Sequence, residues 1–170
     1  MAVNAYLFVD QITGPSTSKT GFMDILSFSW GVNQTSTYGT GASGKEAKAG
    51  RADFSNLSIM KVLDAASPLL CECCASGTIV DKVYILYDKP VGKGTTVQQD
   101  YFRIYLKDAL VTSYQLSGSS ENPTEAVTFA FQAVEVAYKA EQDDGTLAAA
   151  VPKGWDLSAL NGAWAAPDKF

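Results

Sequence analysis

The residue types that carry most enzymatic chemistry are either missing from this chain or wrongly spaced. There is no histidine among its 170 residues. That removes the commonest general base and metal ligand, and with them any His-based triad. Gly39 to Lys45 reads G-T-G-A-S-G-K, the spacing of a phosphate-cradling loop. Glu46 follows where such a loop needs Ser or Thr to hold magnesium, and a carboxylate there repels phosphate. No helix pattern opens after Lys45 to aim its N-terminus at an anion, so the stretch reads as a plain Gly-rich loop. Cys71-Glu72-Cys73-Cys74 puts Cys71 and Cys74 on one helix face. A tetrahedral zinc site needs two more soft ligands, and the chain has neither a fourth cysteine nor a histidine. The thiols read as small groups packing a buried helix face. Carboxylates are scattered through turns and solvent faces, and no spacing singles out a glycoside-cleaving pair. Trp30 falls on the apolar face of a strand pattern and reads as core, whereas Trp164 sits in the tail with no assigned role. The expectation is a protein that is not an enzyme, with no catalytic residue, no metal site and no cofactor.

The bulk composition points away from other partners. Net charge is −5, with two arginines, Arg51 and Arg103, and scattered lysines. Without clustered cations to neutralise phosphate, no nucleic acid is expected as a partner. No apolar run approaches the ~20 residues that cross a bilayer, so no membrane insertion is expected. Met1 to Tyr6 lacks the basic and apolar regions of a secretory signal, so export, if any, reads no such signal. The sequons at Asn33 and Asn56 therefore carry no weight. Charged residues are 18% and apolar ones 46% of the chain. A surface low in charge suits contact with other proteins.

The elements that would position any site are mostly strands, read from period-2 alternation. The pattern predicts strands at 3–9, 22–34, 51–59, 82–88, 98–114, 125–139 and 153–157. In 22–34 the even positions from Phe22 to Val32 are mostly apolar. Ser27, Ser29, Gly31 and Asn33 make the other face small and uncharged. Residues 35–50 read as a long protruding loop, and such loops are usually functional. One short helix is expected, with Ser67 as N-cap, Pro68 in the first turn and Gly77 as stop. The apolar phase in 125–139 runs through Phe131 and Ala133 and then flips to Val134, which predicts a β-bulge at Ala133-Val134. The sum is a mainly β fold: an antiparallel β-barrel of two packed sheets with one short α-helix. It spans residues 1–158, with a C-terminal tail at 159–170.

Several stretches resemble the Hcp (haemolysin-coregulated protein) family of type VI secretion. Phe28-Ser29-Trp30-Gly31 is similar to the family's W-S-W-G. Leu63-Asp64-Ala65-Ala66-Ser67-Pro68-Leu69, running into Cys74-Ala75-Ser76-Gly77, resembles its helix segment. Tyr101 to Tyr114, Pro123 to Phe129, Val134 to Tyr138, and Lys153 to Leu157 follow in the family's order. The resemblance implies the inner-tube protein of a type VI secretion system. It would be a homo-hexamer whose rings stack into a tube, with contractile sheath and spike proteins as partners and effector proteins in the lumen. The protein would start in the bacterial cytoplasm and be secreted when the sheath contracts. The resemblance places Ser29 at the lumen, with Ser27, Gly31 and Asn33 as further lumen candidates. It also implies ring contacts from the long loop, with Tyr38, Lys45, Glu46, Lys48 and Arg51 as candidates. No toxin domain is expected after Trp155. The tube subunit of a phage-tail-like contractile device is the near alternative. A monomeric β-barrel that binds a ligand, and a nucleotide-using enzyme built on 39–45, are the distant ones.

Overall fold

The structure, a computed structural model, describes residues 3–38, 47–92, 97–119 and 121–170. Its strands are β1 (Asn4–Val9), β2 (Met23–Asp24), β3 (Ser27–Ser29), β4 (Val32–Tyr38), β5 (Ala47–Phe54) and β6 (Leu57–Val62). Helix α1 (Ser67–Ser76) precedes β7 (Ile79–Val91), β8 (Val97–Ser117), β9 (Thr124–Ala130), β10 (Ala133–Tyr138) and β11 (Val151–Asp156). The mainly β antiparallel class with one short helix is as the alternation predicts.

Nine strands form one sheet along the path β2-β1-β7-β8-β9-β6-β3, with β10 added on β8 and β11 on β10. Inward side chains such as Leu7, Ile59, Ile85, Leu106 and Phe129 pack into one core, closed by Leu70 of α1. The sheet wraps on itself, but no ladder between β2 and β3 closes it. Its two ends are instead consecutive pieces of chain. The Ile25 N–H donates to the Ala5 carbonyl at 3.0 Å, and the Leu26 N–H to the Met60 carbonyl at 2.7 Å. In one step the chain leaves the β1 edge and joins the β6 edge.

That step corrects the reading of 22–34 as one strand. Met23 and Ile25 are the buried residues before it, and Leu26 is 60% exposed. After it the phase reverses, and Phe28 and Trp30 pack on the core. Switching edges rotates the chain, so a single alternation cannot run through.

Much of the stretch 35–50, expected as a loop, is also strand. β4 and β5 pair as a separate two-stranded sheet from Val32↔Phe54 to Tyr38↔Ala47, with an irregularity between Gln34 and Ser36. Residues 39–46 lie outside the described residues. From Val32 to Ser36 the chain is exposed on both faces, so no apolar period marks the strand.

The expected bulge at Ala133-Val134 is not there. Leu110↔Ala130 and Lys107↔Ala133 keep one register across the break at Phe131-Gln132. Both sides change phase together: inward residues are Leu106 then Ala109 and Val111 on β8, with Val134 opposite Leu106 and Phe129 opposite Val111. Asp108, with φ 47°, takes up the turn on the β8 side. The irregularity of this pair sits instead in β8, between Val111 and Ser113.

Pro68 opens α1 and Gly77 ends it in the left-handed region, φ 66°, as expected. Ser67 is not the N-cap, however; Ala66 is, and the Ser67 hydroxyl points elsewhere. The thiols do not all pack inward either. Cys73 and Cys74 touch the core, whereas Cys71 is exposed. No metal-holding group of His, Cys, Asp or Glu occurs among the described residues.

One glycine is demanded by close approach. A Cβ on Gly14 would lie 2.1 Å from the Phe22 carbonyl oxygen, in the turn where Gly14 bridges Gly21. Because backbone must move to admit it, Gly14→Ala is expected to cost about 1–3 kcal/mol, as overpacked sites do. Urea unfolding checks this, and an unchanged midpoint would refute it.

Candidate functional site: an uncharged sheet face above a buried charge cluster

The register of four adjoining strands builds one outward face. Ser27 pairs with Met60 and Ser29 with Ser58. Ser58 pairs with Thr128, Met60 with Ala126, and Val62 with Thr124. Ser113, Gln115 and Ser117 of β8 pair with Thr128, Ala126 and Thr124. Inward neighbours Leu57, Ile59, Val127 and Phe129 are fully buried, which fixes the direction of the rest. Eight of the eleven outward residues thus carry a hydroxyl or amide, with Met60, 46% exposed, near the middle of the face. Some hydroxyls already have partners: Ser58 Oγ lies 3.0 Å from Thr128 Oγ1. Such a face is wettable, low in relief and without a fixed charge to hold an ion.

The charges of these strand segments are turned inward. Lys61 and Glu125 are register partners, both fully buried, with Nζ and Oε1 2.7 Å apart. Lys61 also reaches Asp64 at 2.8 Å and the Ser67 hydroxyl at 3.2 Å. Ser67 donates to Glu125 at 2.9 Å and accepts the Asp64 N–H at 2.9 Å. The Tyr114 hydroxyl donates to the second Glu125 oxygen at 2.7 Å. Burial first, and then that hydrogen bond to Glu125, pushes the Tyr114 hydroxyl well above the usual phenol range. The cluster ties β6, β8, β9 and the first turn of α1 together behind the uncharged face.

Of the lumen candidates, Ser27 and Ser29 lie on this face. Gly31 and Asn33 do not. Gly31 lies in the link after β3, where its N–H donates to Ser55 Oγ at 2.9 Å and its carbonyl accepts the Ser55 N–H at 3.0 Å. Asn33 pairs with Asp53 in the β4–β5 hairpin. Among the ring-contact candidates, Tyr38 and Lys48 lie on the backbone ladder near the hairpin tip, and Arg51 is exposed on β5. Lys45 and Glu46 lie outside the described residues. The hairpin is held to the barrel by aromatic rings. Trp30 and Phe54 are 6.2 Å apart, and Phe54 and Trp155 stack at 6.3 Å. Trp30 thus packs as expected, and Trp164 lies 6.0 Å from Tyr105.

Sequence reasoning missed Ser58, Met60, Ser113, Gln115, Ser117, Thr124 and Thr128. The usable signal was parity: within 57–62 and 124–130 every position out of phase with the core is uncharged. It missed the Lys61–Glu125 cluster too, although both charges fall on core-phase positions.

Known proteins share this chain's sequence and shape. A model of the family described as "Type VI secretion system effector, Hcp" matches residues 6–138. The chain is 32% identical over 160 residues to Protein hcp1 of Pseudomonas aeruginosa, covering 92% of this chain and 96% of that protein. A solved structure described as a type six secretion system protein superposes with a TM-score of 0.82 at 25% identity, over 94% of this chain and 99% of the other. Hcp1 from Salmonella typhimurium gives 0.72 at 24% identity, over 95% and 99% of the two chains. A match of that extent, on the fold described above, decides the family: the chain belongs to the Hcp family of type VI secretion, the tube-protein family that its motifs resemble.

Proposed function

We propose that the protein is a non-enzymatic subunit of the type VI inner tube, with the uncharged face of β3, β6, β9 and the C-terminal half of β8 lining the lumen. That face is the observation that carries the reading. A conduit wall must be wet yet bind nothing tightly, and uncharged hydroxyls, with Ser58 and Thr128 already paired to each other, meet both needs. Six copies close into a ring and rings stack into a tube, which a sheath drives outward behind a spike, carrying effectors in the lumen. Residues 1–158 form the ring-building barrel. The protein begins in the bacterial cytoplasm and leaves with the tube.

Unfinished edges support assembly. The β4–β5 hairpin and the outer edge of β11 have no ladder partner among the described residues, and free edges seek one. Val151, at that β11 edge, is 64% exposed. Contacts that join unlike surfaces of identical subunits close into rings or run on as tubes.

Native mass spectrometry of the dilute protein should show hexamers, and a monomer at every concentration would refute the ring. Ser29→Gln should leave the hexamer intact but weaken effector retention at least about tenfold, the effect of ~1.4 kcal/mol per site. Retention is read by co-purification with the hexamer, and unchanged retention would remove Ser29 from the cargo surface.

A further inference from the structure

Residues 162–170 cross the opposite side of the barrel, over β11, β10, β8 and β7, without joining any ladder. Gly154 makes the crossing possible, since a Cβ there would lie 2.3 Å from the Trp164 carbonyl oxygen. The Ala166 N–H donates to Glu135 Oε2 at 2.8 Å. Arg103 Nη2 donates to the Asp168 carbonyl at 2.8 Å and to Glu135 Oε1 at 2.9 Å. The Asp168 carboxylate meets Lys82 at 3.1 Å. The Phe170 ring takes two cations, Lys139 Nζ at 4.1 Å and the Arg103 guanidinium at 5.1 Å. With this segment in place Arg103 is 5% and Glu135 3% exposed. Lifting it would take the Asp168 contacts from Lys82 and Arg103 and the Phe170 ring from Arg103 and Lys139.

Three features make the segment releasable. Its seat is built from side-chain contacts, and the Lys82–Asp168 pair is exposed and screened by solvent. Its hinge, residues 156–162, is a tight turn in which Asp156 and Asn161 pair with each other. Within that turn Leu160 is held at φ 52°, a left-handed conformation that a leucine avoids and that opening would relieve. Seven hinge residues, once extended, reach about 23–25 Å.

We propose that residues 162–170 form an exchangeable strap, and that the groove across β10, β8 and β7 accepts the same strap from a second copy of this chain. The complementarity needs no new surface, because the sequence seated in the groove is the sequence offered by the neighbour. Exchange of an identical element between copies keeps every contact and relaxes the hinge. The proposal rests on the ring reading only for how copies meet.

The test uses a fluorescent peptide of residues 161–170 and the full-length chain. Asp168→Lys with Phe170→Ala disables the strap but leaves its groove. The peptide should bind this variant at least about tenfold more tightly than the wild type, whose own strap competes. Adding Lys82→Ala and Lys139→Ala should abolish the gain. A scrambled peptide should show none. Equal binding to wild type and variant would overturn the proposal, and so would equal binding of the scrambled peptide. Far-UV dichroism shows that each variant is folded. Ring assembly, read separately by native mass spectrometry, is not needed for the peptide to bind. Failure here and failure of the ring are therefore separate results.

Discussion

Lys61→Ala is expected to destabilise the protein by about 3–5 kcal/mol, the cost of leaving one member of a buried ion pair alone. Lys61 has no exposure, and Glu125, its register partner, has none either. Removing the ammonium leaves a carboxylate that keeps only the Ser67 and Tyr114 hydroxyls as donors. Glu125→Ala should cost a similar amount, for it leaves the buried ammonium with Asp64 as its one carboxylate, beside the Ser67 hydroxyl and the Val62 carbonyl. Lys61→Met combined with Glu125→Leu should recover much of either loss, because well-packed apolar pairs replace buried ion pairs cheaply. Recovery should be incomplete, since the Tyr114 hydroxyl then lacks its acceptor, a cost of about 1–3 kcal/mol. Urea unfolding of the three variants measures the cycle. A single-variant loss below about 1 kcal/mol would show that the pair is solvated, as exposed pairs are.

Phe54→Ala should abolish hexamers while leaving the barrel folded. Phe54 is the ring that joins Trp30 to Trp155 and thereby pins the β4–β5 hairpin. It is half-buried, so the barrel should lose about 2 kcal/mol, roughly half the cost of deleting a fully buried Phe. The hairpin is affected more. An isolated pair of strands is marginal in water, and this one is exposed on both faces from Val32 to Ser36. Unpinned, it keeps its own ladder and the Gly31–Ser55 hydrogen bonds at its base but loses the rings that seat it on the barrel, and it pays entropy of ordering when it meets a neighbour. If the proposed rings form, native mass spectrometry of the variant should give monomers at the concentrations that give wild-type rings. Rings in wild-type abundance would show that the hairpin is not a ring contact.

How far the sequence could be read depended on how many signals agreed. Pro68 and Gly77 mark α1 by backbone chemistry that tertiary structure does not override. The strands of β7 and β8 are apolar on the core side, so their middles are legible as 82–88 and 98–114, whereas the outer parts of Ile79–Val91 and Val97–Ser117 are not. Met23 and Ile25 are apolar at odd positions and Phe28 and Trp30 at even ones. Reading through Phe22 and Leu26 joined them into one phase, because nothing local records that the chain changes sheet edge at Ile25. Much of β4 was hidden for a different reason: Val32 to Ser36 has no buried face, and such a strand has no apolar period. The phase flip near Phe131 was visible, but its cause was not. Only the pairing shows that β8 turns with it at Asp108 and that no residue is inserted. The uncharged face was half legible. Ser27 and Ser29 stand out along one strand, but Ser58, Thr128 and Ser113 join them only through register, which is a property of pairs. Gly31 and Asn33 share their parity and were carried along with them, although the chain has left that sheet by then.

β8 has a consequence for how the subunit bears load. It runs for 21 residues, a contour on the order of 70 Å that turns at Asp108. Its first half lies under the strap, and its second half ends on the uncharged face. Pushing one side of the barrel against the other therefore strains a single continuous backbone flanked by β7, β9 and β10. The hydrogen bonds to those neighbours lie across the strand, so such a force shears them together instead of unzipping them one by one. A subunit built this way should be stiffest along the two arms of β8, and most compliant at the turn between them at Asp108.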